Sequence, residues 1–160
     1  LYTLADVINA GCRDGELDVR GVSHRGYFAS ITDFKSYHDA NMDLIDYKTA
    51  TDLFHDNWPI YTRTNNSCPT HYFDTANVSN SVISNGSMIE GTVENSIVGR
   101  GCTIKKGAVI KNCVVLADCT IGENVHIENL VVDKHAKITH AKEIIRPADE
   151  PGYIKRNDTL

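Results

Sequence analysis

Val78-Ser-Asn-Ser-Val-Ile83, Val93-Glu-Asn-Ser-Ile-Val98, Ile110-Lys-Asn-Cys-Val-Val115 and Ile127-Glu-Asn-Leu-Val-Val132 decide the fold of this chain. They match position by position at offsets of 15, 17 and 17 residues. Self-similarity at a fixed period of this size is the mark of a solenoid, in which each repeat buries its apolar face only against its neighbours.

Finer spacing within the period selects the kind of solenoid. Aliphatic residues stand at Val78, Ile83, Ile89, Val93, Val98, Ile104, Ile110, Val115, Ile121, Ile127, Val132, Ile138 and Ile144, in steps mostly of five and six. Helical spacing is absent. Two residues before nearly every one lies a small side chain, among them Ala76, Ser81, Ser87, Gly91, Ser96, Cys102, Ala108, Cys113, Cys119 and Ala136, with the larger Val125 and Leu130 in the same place. Residues two apart on a strand share a face, so each small-x-aliphatic triplet is a short strand that turns both side chains inward. One residue earlier come Asn80, Gly86, Asn95, Gly101, Gly107, Asn112, Asp118, Asn124 or Asn129. Gly, Asn and Asp tolerate positive φ, and these positions are the corners. Three strands and three corners per coil make a triangular prism.

This hexapeptide pattern resembles the left-handed parallel β-helix, and the handedness comes from that resemblance, because parallel crossovers are otherwise right-handed. Four coils at about 4.8 Å spacing predict a prism about 20 Å tall. Asn80, Asn95, Asn112 and Asn129 then stack along one edge as an asparagine ladder, a known stabiliser of parallel strands. The implied organisation is 1–46 as an α/β remnant of a preceding domain, 47–75 as a helix and extended connector, 76–145 as the β-helix and 146–160 as a tail.

The chain has 160 residues, 41% of them apolar, and a net charge of −5. That is enough apolar matter for a core, and the charge gives no bias toward nucleic acid or an anionic membrane. No run approaches the length of a membrane span, and no signal-peptide pattern is present, so the expected location is the cytoplasm. The first residue is Leu, and the opening segment has no evident partners, which reads as a piece of a longer protein.

Five cysteines invite a metal or disulfide reading, but Cys102, Cys113 and Cys119 fall on the small inward position, where a thiol acts as a small hydrophobe. Cys12 and Cys68 are isolated, and there is no C-x-x-C spacing. His126, His135 and His140 lie near one another in sequence and raise a zinc site, yet His126 falls on an outward strand position and His135 on a corner, where solvated histidines are expected.

Upstream, Leu4 to Ala10 has helical spacing and ends at Gly11, while Leu17 to Val22 and Gly26 to Ile31 read as strands. Asp33 opens a helix through Tyr37 and Met42 to Leu44, and a second runs from Thr49, its cap, to His55. Trp58 to Thr75 is an extended connector that must lie against something to be ordered.

In this region the order Ser36-Tyr37-x-x-Ala40-Asn41-Met42-Asp43-Leu44, then Pro59-Ile60-Tyr61-Thr62, then Val93-Glu-Asn-Ser96 and Gly107-Ala-Val-Ile-Lys-Asn112 closely resembles the glucose-1-phosphate adenylyltransferase family of bacterial glycogen synthesis. The similarity runs from about Gly26 to Asp133. It implies a parent reaction in which ATP and glucose 1-phosphate give ADP-glucose and pyrophosphate. It also implies a C-terminal β-helix that serves oligomerisation and allosteric control.

Two departures bear on catalysis. The family's Gly-rich nucleotide loop and catalytic Asp belong to an N-terminal domain that this sequence does not contain, so no catalytic residue and no cofactor is assigned here. Active members also carry Asp-Val-Gly-Thr before the Ala-Asn motif, with an Mg²⁺-associated Asp eleven positions ahead of the Asn. Counting back from Asn41 gives Ser30, Ile31, Thr32 and Asp33, and a neutral hydroxyl at Ser30 is a poor ligand for a hard cation, although Asp33 offers a carboxylate in a shifted register. The resemblance therefore implies the regulatory, non-catalytic subunit, with Mg²⁺ belonging to a catalytic partner subunit.

The outward residues of the prism differ by face. Two series are polar or mixed, Met88, Thr103, Thr120, Lys137 and Thr92, Val109, His126, Glu143, whereas the third is Val82, Ile97, Val114 and Val131. An aliphatic stripe left in water forgoes roughly 1.5 to 3 kcal/mol per side chain. That stripe is predicted to dock against the connector, the nucleotidyltransferase domain or a neighbouring subunit, either a second copy or a catalytic adenylyltransferase. The open ends of the prism need covers, for which the tail and the connector are candidates. Lys134, Arg146, Lys155 and Arg156 bring positive charge of the kind phosphorylated effectors need, without fixing a site. A second function class is a hexapeptide acyltransferase, with coenzyme A along the prism and a His at a trimer interface as general base. It leaves the Tyr61 and Asn41 motifs without a role.

Overall fold

A computed structural model describes residues 3–160. Three helices come first: α1 (Leu4–Arg13), α2 (Phe34–Asp43) and α3 (Tyr47–Leu53). Each begins with a side chain that accepts a backbone N–H two or three residues into the helix. Thr3 takes Asp6, Asp33 takes Ser36 and Asp46 takes Thr49. The cap of α3 is thus Asp46, and Thr49, expected to be the cap, is the residue being capped.

Helix α1 continues past Gly11 to Arg13. It closes through Gly15 at φ 74°, with the N–H of Glu16 on the Gly11 carbonyl and that of Gly15 on the Cys12 carbonyl. This is a Schellman closure, and Leu17 folds back over Gly11. Leu17 to Val22 and Gly26 to Ile31 are not strands. Their alternation is that of a strand, but a strand is held by ladder partners, and among the described residues none pairs with them. What precedes the column is therefore helical with extended links, not α/β.

From residue 71 onward the chain climbs in five rungs. They are β1 (His71–Tyr72), β2 (Asn77–Ser79) and β3 (Val82–Ile83); β4 (Met88–Ile89), β5 (Thr92–Glu94) and β6 (Ile97–Val98); β7 (Thr103–Ile104), β8 (Val109–Lys111) and β9 (Val114–Val115); β10 (Thr120–Ile121), β11 (His126–Glu128) and β12 (Leu130–Val132); and β13 (Lys137–Ile138), β14 (Glu143–Ile145) and β15 (Gly152–Ile154). Every third strand pairs in parallel, giving three five-stranded sheets, one per face. The column is a left-handed parallel β-helix. Its connections are tight corners between strands of two or three residues, so the twist that makes longer crossovers right-handed has little length over which to act.

The repeat predicts four coils over 76–145, and the structure has five. The connector supplies β1, where Tyr72 stands in place of the aliphatic, and the tail supplies β15, whose Gly152-Tyr153-Ile154 triplet lies further from Ile144 than the usual five- or six-residue step. The tail then covers the last rung, with the N–H groups of Lys137 and Thr139 bonded to the carbonyls of Asp158 and Leu160.

All nine predicted corners have positive φ, from 42° at Asn80 to 79° at Gly86. Inside, Ile89, Ile104, Ile121 and Ile138 stack on one face, Val93, Ile110 and Ile127 on the second and Val98, Val115 and Val132 on the third, all fully buried. Rungs leave no spare room. A Cβ on Gly91 would lie 2.6 Å from the Ala108 carbonyl oxygen.

The small inward residues do more than fit. Ser81, Ser96 and Cys113 each donate to the carbonyl two residues back, on Ser79, Glu94 and Lys111, at 2.7, 2.7 and 3.0 Å. The hydroxyls of Ser81 and Ser96 also accept the N–H of Ser96 and Cys113 one rung on. The N–H groups of Ser96 and Cys113, which the bend turns away from the ladder, are thereby satisfied. Among the described residues no buried side-chain nitrogen or oxygen lacks a partner.

Candidate regulatory cleft and contact face

The asparagine edge forms as a ladder of two steps through its first three members. Asn80 donates to the Asn95 side chain at 2.8 Å and Asn95 to that of Asn112 at 2.6 Å. Asn129 stands outside that ladder and donates to the Arg146 carbonyl at 2.6 Å, the acceptor that rung five offers in place of a fifth asparagine.

The adjoining third face carries the aliphatic stripe, and its members are not equivalent. Val114 and Val131 are 1% and 2% exposed, Ile97 is half-buried and Val82 is 43% exposed. Helix α2 of the same chain packs against β9. At its start the Phe34 ring meets that of Tyr153, in register with Val131 one rung on, edge to face with centroids 5.7 Å apart. One turn later the buried His38 donates from Nε2 to the Asn112 carbonyl at 2.9 Å. The helix thus leaves the end of the stripe at Val82 and Ile97 open.

Along the corner between the third and first faces lies a cleft of about 470 Å³. Its cations come from four separate segments: Arg63 of the connector, Arg100 and Lys134 of corners two rungs apart and Arg156 of the tail, with His135 and Asp118 beside them. The guanidinium of Arg100 donates to the Arg63 carbonyl at 2.7 Å and so fixes the connector to the column. His135 lies 3.7 Å from Asp118. Four fixed cations against one carboxylate is a local reversal of sign in a chain of net charge −5.

Beside the cleft, Asp133 accepts the Tyr153 hydroxyl at 2.7 Å and the Lys134 backbone N–H at 2.6 Å. Those bonds, the hydroxyl's first, hold its carboxyl below the usual Asp range, with help from the charges of Arg156 and Lys134.

Of the basic residues singled out from sequence, Lys134 and Arg156 line this cleft. Arg146 pairs with Glu150 at 3.8 Å on a different corner. Arg63 and Arg100 were not legible, since their meeting depends on where the connector lies. The three histidines do not converge. His126 sits between Glu128 at 2.7 Å and Glu143 at 3.5 Å, His135 is in the cleft and His140 contacts the Thr139 hydroxyl at 3.2 Å. Among the described residues no group of three or more His, Cys, Asp or Glu is arranged to hold a metal ion. Asp33, considered above as a shifted cation ligand, spends its carboxylate on capping α2, and its pKa is lowered by the Ser36 N–H it accepts.

The three inward thiols are buried, and Cys12 and Cys68 are exposed. Burial pushes Cys113 up to about 12.

Compared with known proteins, residues 69–150 match the family model described as GlmU-like, C-terminal hexapeptide. The chain belongs to this family. The hexapeptide chain is 42% identical over 86 residues to the glucose-1-phosphate adenylyltransferase of Geobacillus stearothermophilus, covering 54% of this chain and 22% of that protein. It is 38% identical over 133 residues to the glycogen biosynthesis protein GlgD of Bacillus subtilis, covering 83% of this chain and 39% of the relative. A third relative, the glucose-1-phosphate adenylyltransferase of Bacillus mycoides, is 36% identical over 122 residues, 76% of this chain and 32% of its own length. The region is thus homologous to the C-terminal hexapeptide region of adenylyltransferase and GlgD-type proteins. The match spans well under half of each relative's length. No helix among the described residues is long and apolar enough to cross a membrane.

Proposed function

We propose that this chain is the oligomerisation and regulatory region of a glucose-1-phosphate adenylyltransferase-like subunit in glycogen biosynthesis, non-catalytic by itself. The alignment with GlgD over 83% of the chain carries this reading. The column supports it as a rigid scaffold with one apolar face. The open end of the stripe at Val82 and Ile97 takes a subunit of the same kind, either a second copy or a catalytic adenylyltransferase.

The cleft at Arg63, Arg100, Lys134 and Arg156 takes a phosphorylated effector. Guanidinium and ammonium groups converging from four segments match the charge and hydrogen-bonding capacity of a phosphate. Two measurements test the proposal. The chain alone forms no ADP-glucose from ATP and glucose 1-phosphate, while added to a full-length catalytic subunit it elutes with that subunit and changes its rate. Calorimetric titration with inorganic phosphate gives binding that Lys134→Ala with Arg156→Ala removes. ADP-glucose formed by the chain alone, or phosphate binding unaffected by both substitutions, contradicts it.

A further inference from the structure

Tyr153 differs from the rest of its face. It occupies the outward place that valine or isoleucine fills on the four earlier rungs, in register with Val131, but it carries a hydroxyl and is half exposed. Its ring touches Phe34, the first residue of α2, and its hydroxyl reaches round the corner to Asp133. Asp133 accepts the backbone N–H of Lys134, and Lys134 and Arg156, whose charges bear on its carboxyl, line the basic cleft. Helix α2 therefore has two anchors on the column. The one at His38 is buried and ends on a backbone carbonyl, out of contact with the cleft. The one at Phe34 is joined to the cleft through two side chains.

We propose that Tyr153 is a positioning residue that couples an anion in the cleft to the seating of α2 on the third face, acting through Asp133. This rests on the cleft reading above. The charges of Lys134 and Arg156 bear on the carboxylate, and both residues line the cleft. Asp133 has the Tyr153 hydroxyl and the Lys134 N–H as its hydrogen-bond partners, and an anion that neutralises the two cations leaves its charge to those bonds alone. The carboxylate then holds the hydroxyl more tightly, and the ring stays against Phe34. Because the aliphatic side chains of the earlier rungs have no group to accept or donate, only rung five can carry this link. Coupling runs both ways, so whatever loosens α2 also weakens anion binding.

Hydrogen exchange of the α2 amides from Tyr37 to Asn41 tests it, on the full 160-residue chain with inorganic phosphate against chloride at equal ionic strength. Phosphate slows exchange about fivefold in the wild type, the lower end of typical coupling. In Tyr153→Phe, which keeps the ring and loses the hydroxyl, phosphate still binds and exchange no longer responds. Asp133→Asn, which keeps an acceptor and loses the charge, gives the same loss of response. Unchanged amide protection at Ile121 and Ile127 establishes that both variants keep the column folded. Slowing that persists in both variants overturns the proposal, and so does a wild type that binds phosphate by calorimetry without slowing. A wild type that binds no phosphate overturns the cleft reading and the coupling with it.

Discussion

The His38 imidazole donates to the Asn112 carbonyl at 2.9 Å across 74 positions of sequence, and it joins two kinds of structure: a short helix with little core of its own, and a column with a continuous one. Asn112 is a corner at φ 49° and the last acceptor of the asparagine ladder, so the helix is fastened to the most constrained edge of the prism.

Removing that fastening costs the helix and spares the column. His38→Ala loses the hydrogen bond and a buried ring, a destabilisation of α2 docking of about 1–3 kcal/mol. Amide exchange checks it: α2 exchanges faster in the variant, while the rungs at Ile104 and Ile121 keep wild-type protection.

The ladder makes a prediction that separates geometry from bonding. Asn95→Ala loses both ladder bonds and keeps a Cβ at φ 46° without the short polar side chain by which Asn tolerates that conformation. Asn95→Gly loses the same bonds without the steric conflict. In urea unfolding the alanine variant is the less stable of the two by about 1 kcal/mol, the left-handed strain less glycine's own entropic cost.

Gly91 is prevented from carrying a side chain by packing, since its Cβ would strike backbone carbonyls of the next rung at 2.6 and 2.8 Å. Gly91→Ala destabilises the column by about 3 kcal/mol, as overpacking does. Gly21→Ala, where nothing lies within 4 Å, changes stability by less than about 0.5 kcal/mol. Thermal unfolding of the two variants side by side makes the comparison.

Acid separates the helices from the column. Asp6, Asp33 and Asp46 have pKa values lowered by the backbone N–H groups of Thr3, Ser36 and Thr49. A depressed folded-state pKa contributes stability that is present above the ordinary Asp value near about 3.9 and is lost as pH falls through the lowered value. Below that range α1, α2 and α3 fray first, while the core of the column contains no carboxylate to protonate. Residue-resolved exchange during acidification tests the order, and simultaneous loss of both parts contradicts it.

Thiol chemistry tests the inward positions. Cys12 and Cys68 react with an alkylating reagent in the native protein, and Cys102, Cys113 and Cys119 react only after unfolding. Mass spectrometry of the labelled peptides reads the result.

Much of this was legible in the sequence because the column is local. Inward aliphatics, small partners and corner residues recur within each rung, and the offset between rungs fixes the register, so Asn95 and Asn112 can be placed side by side without a structure. What was not legible depends on long-range placement. Ser81 and Ser96 read as merely small, and their hydrogen bonds to corner carbonyls emerge only from the bend. The strand alternation at Leu17 to Val22 was real, but no pairing partner takes it up. The basic cleft needed Arg63 of the connector to lie across the column, and Val114 and Val131 needed α2 to return to the third face; neither path is written in any local pattern.

The solution mass of the chain and of a variant with Val82→Lys and Ile97→Asp, measured by light scattering with circular dichroism as a check on folding, bears most directly on the scaffold role. The account predicts a wild type larger than the 17.7 kDa of one chain, alone or with a catalytic adenylyltransferase subunit, and a folded variant that has lost the larger species. A wild type that stays at the mass of one chain in both settings, or a variant that assembles as the wild type does, contradicts it.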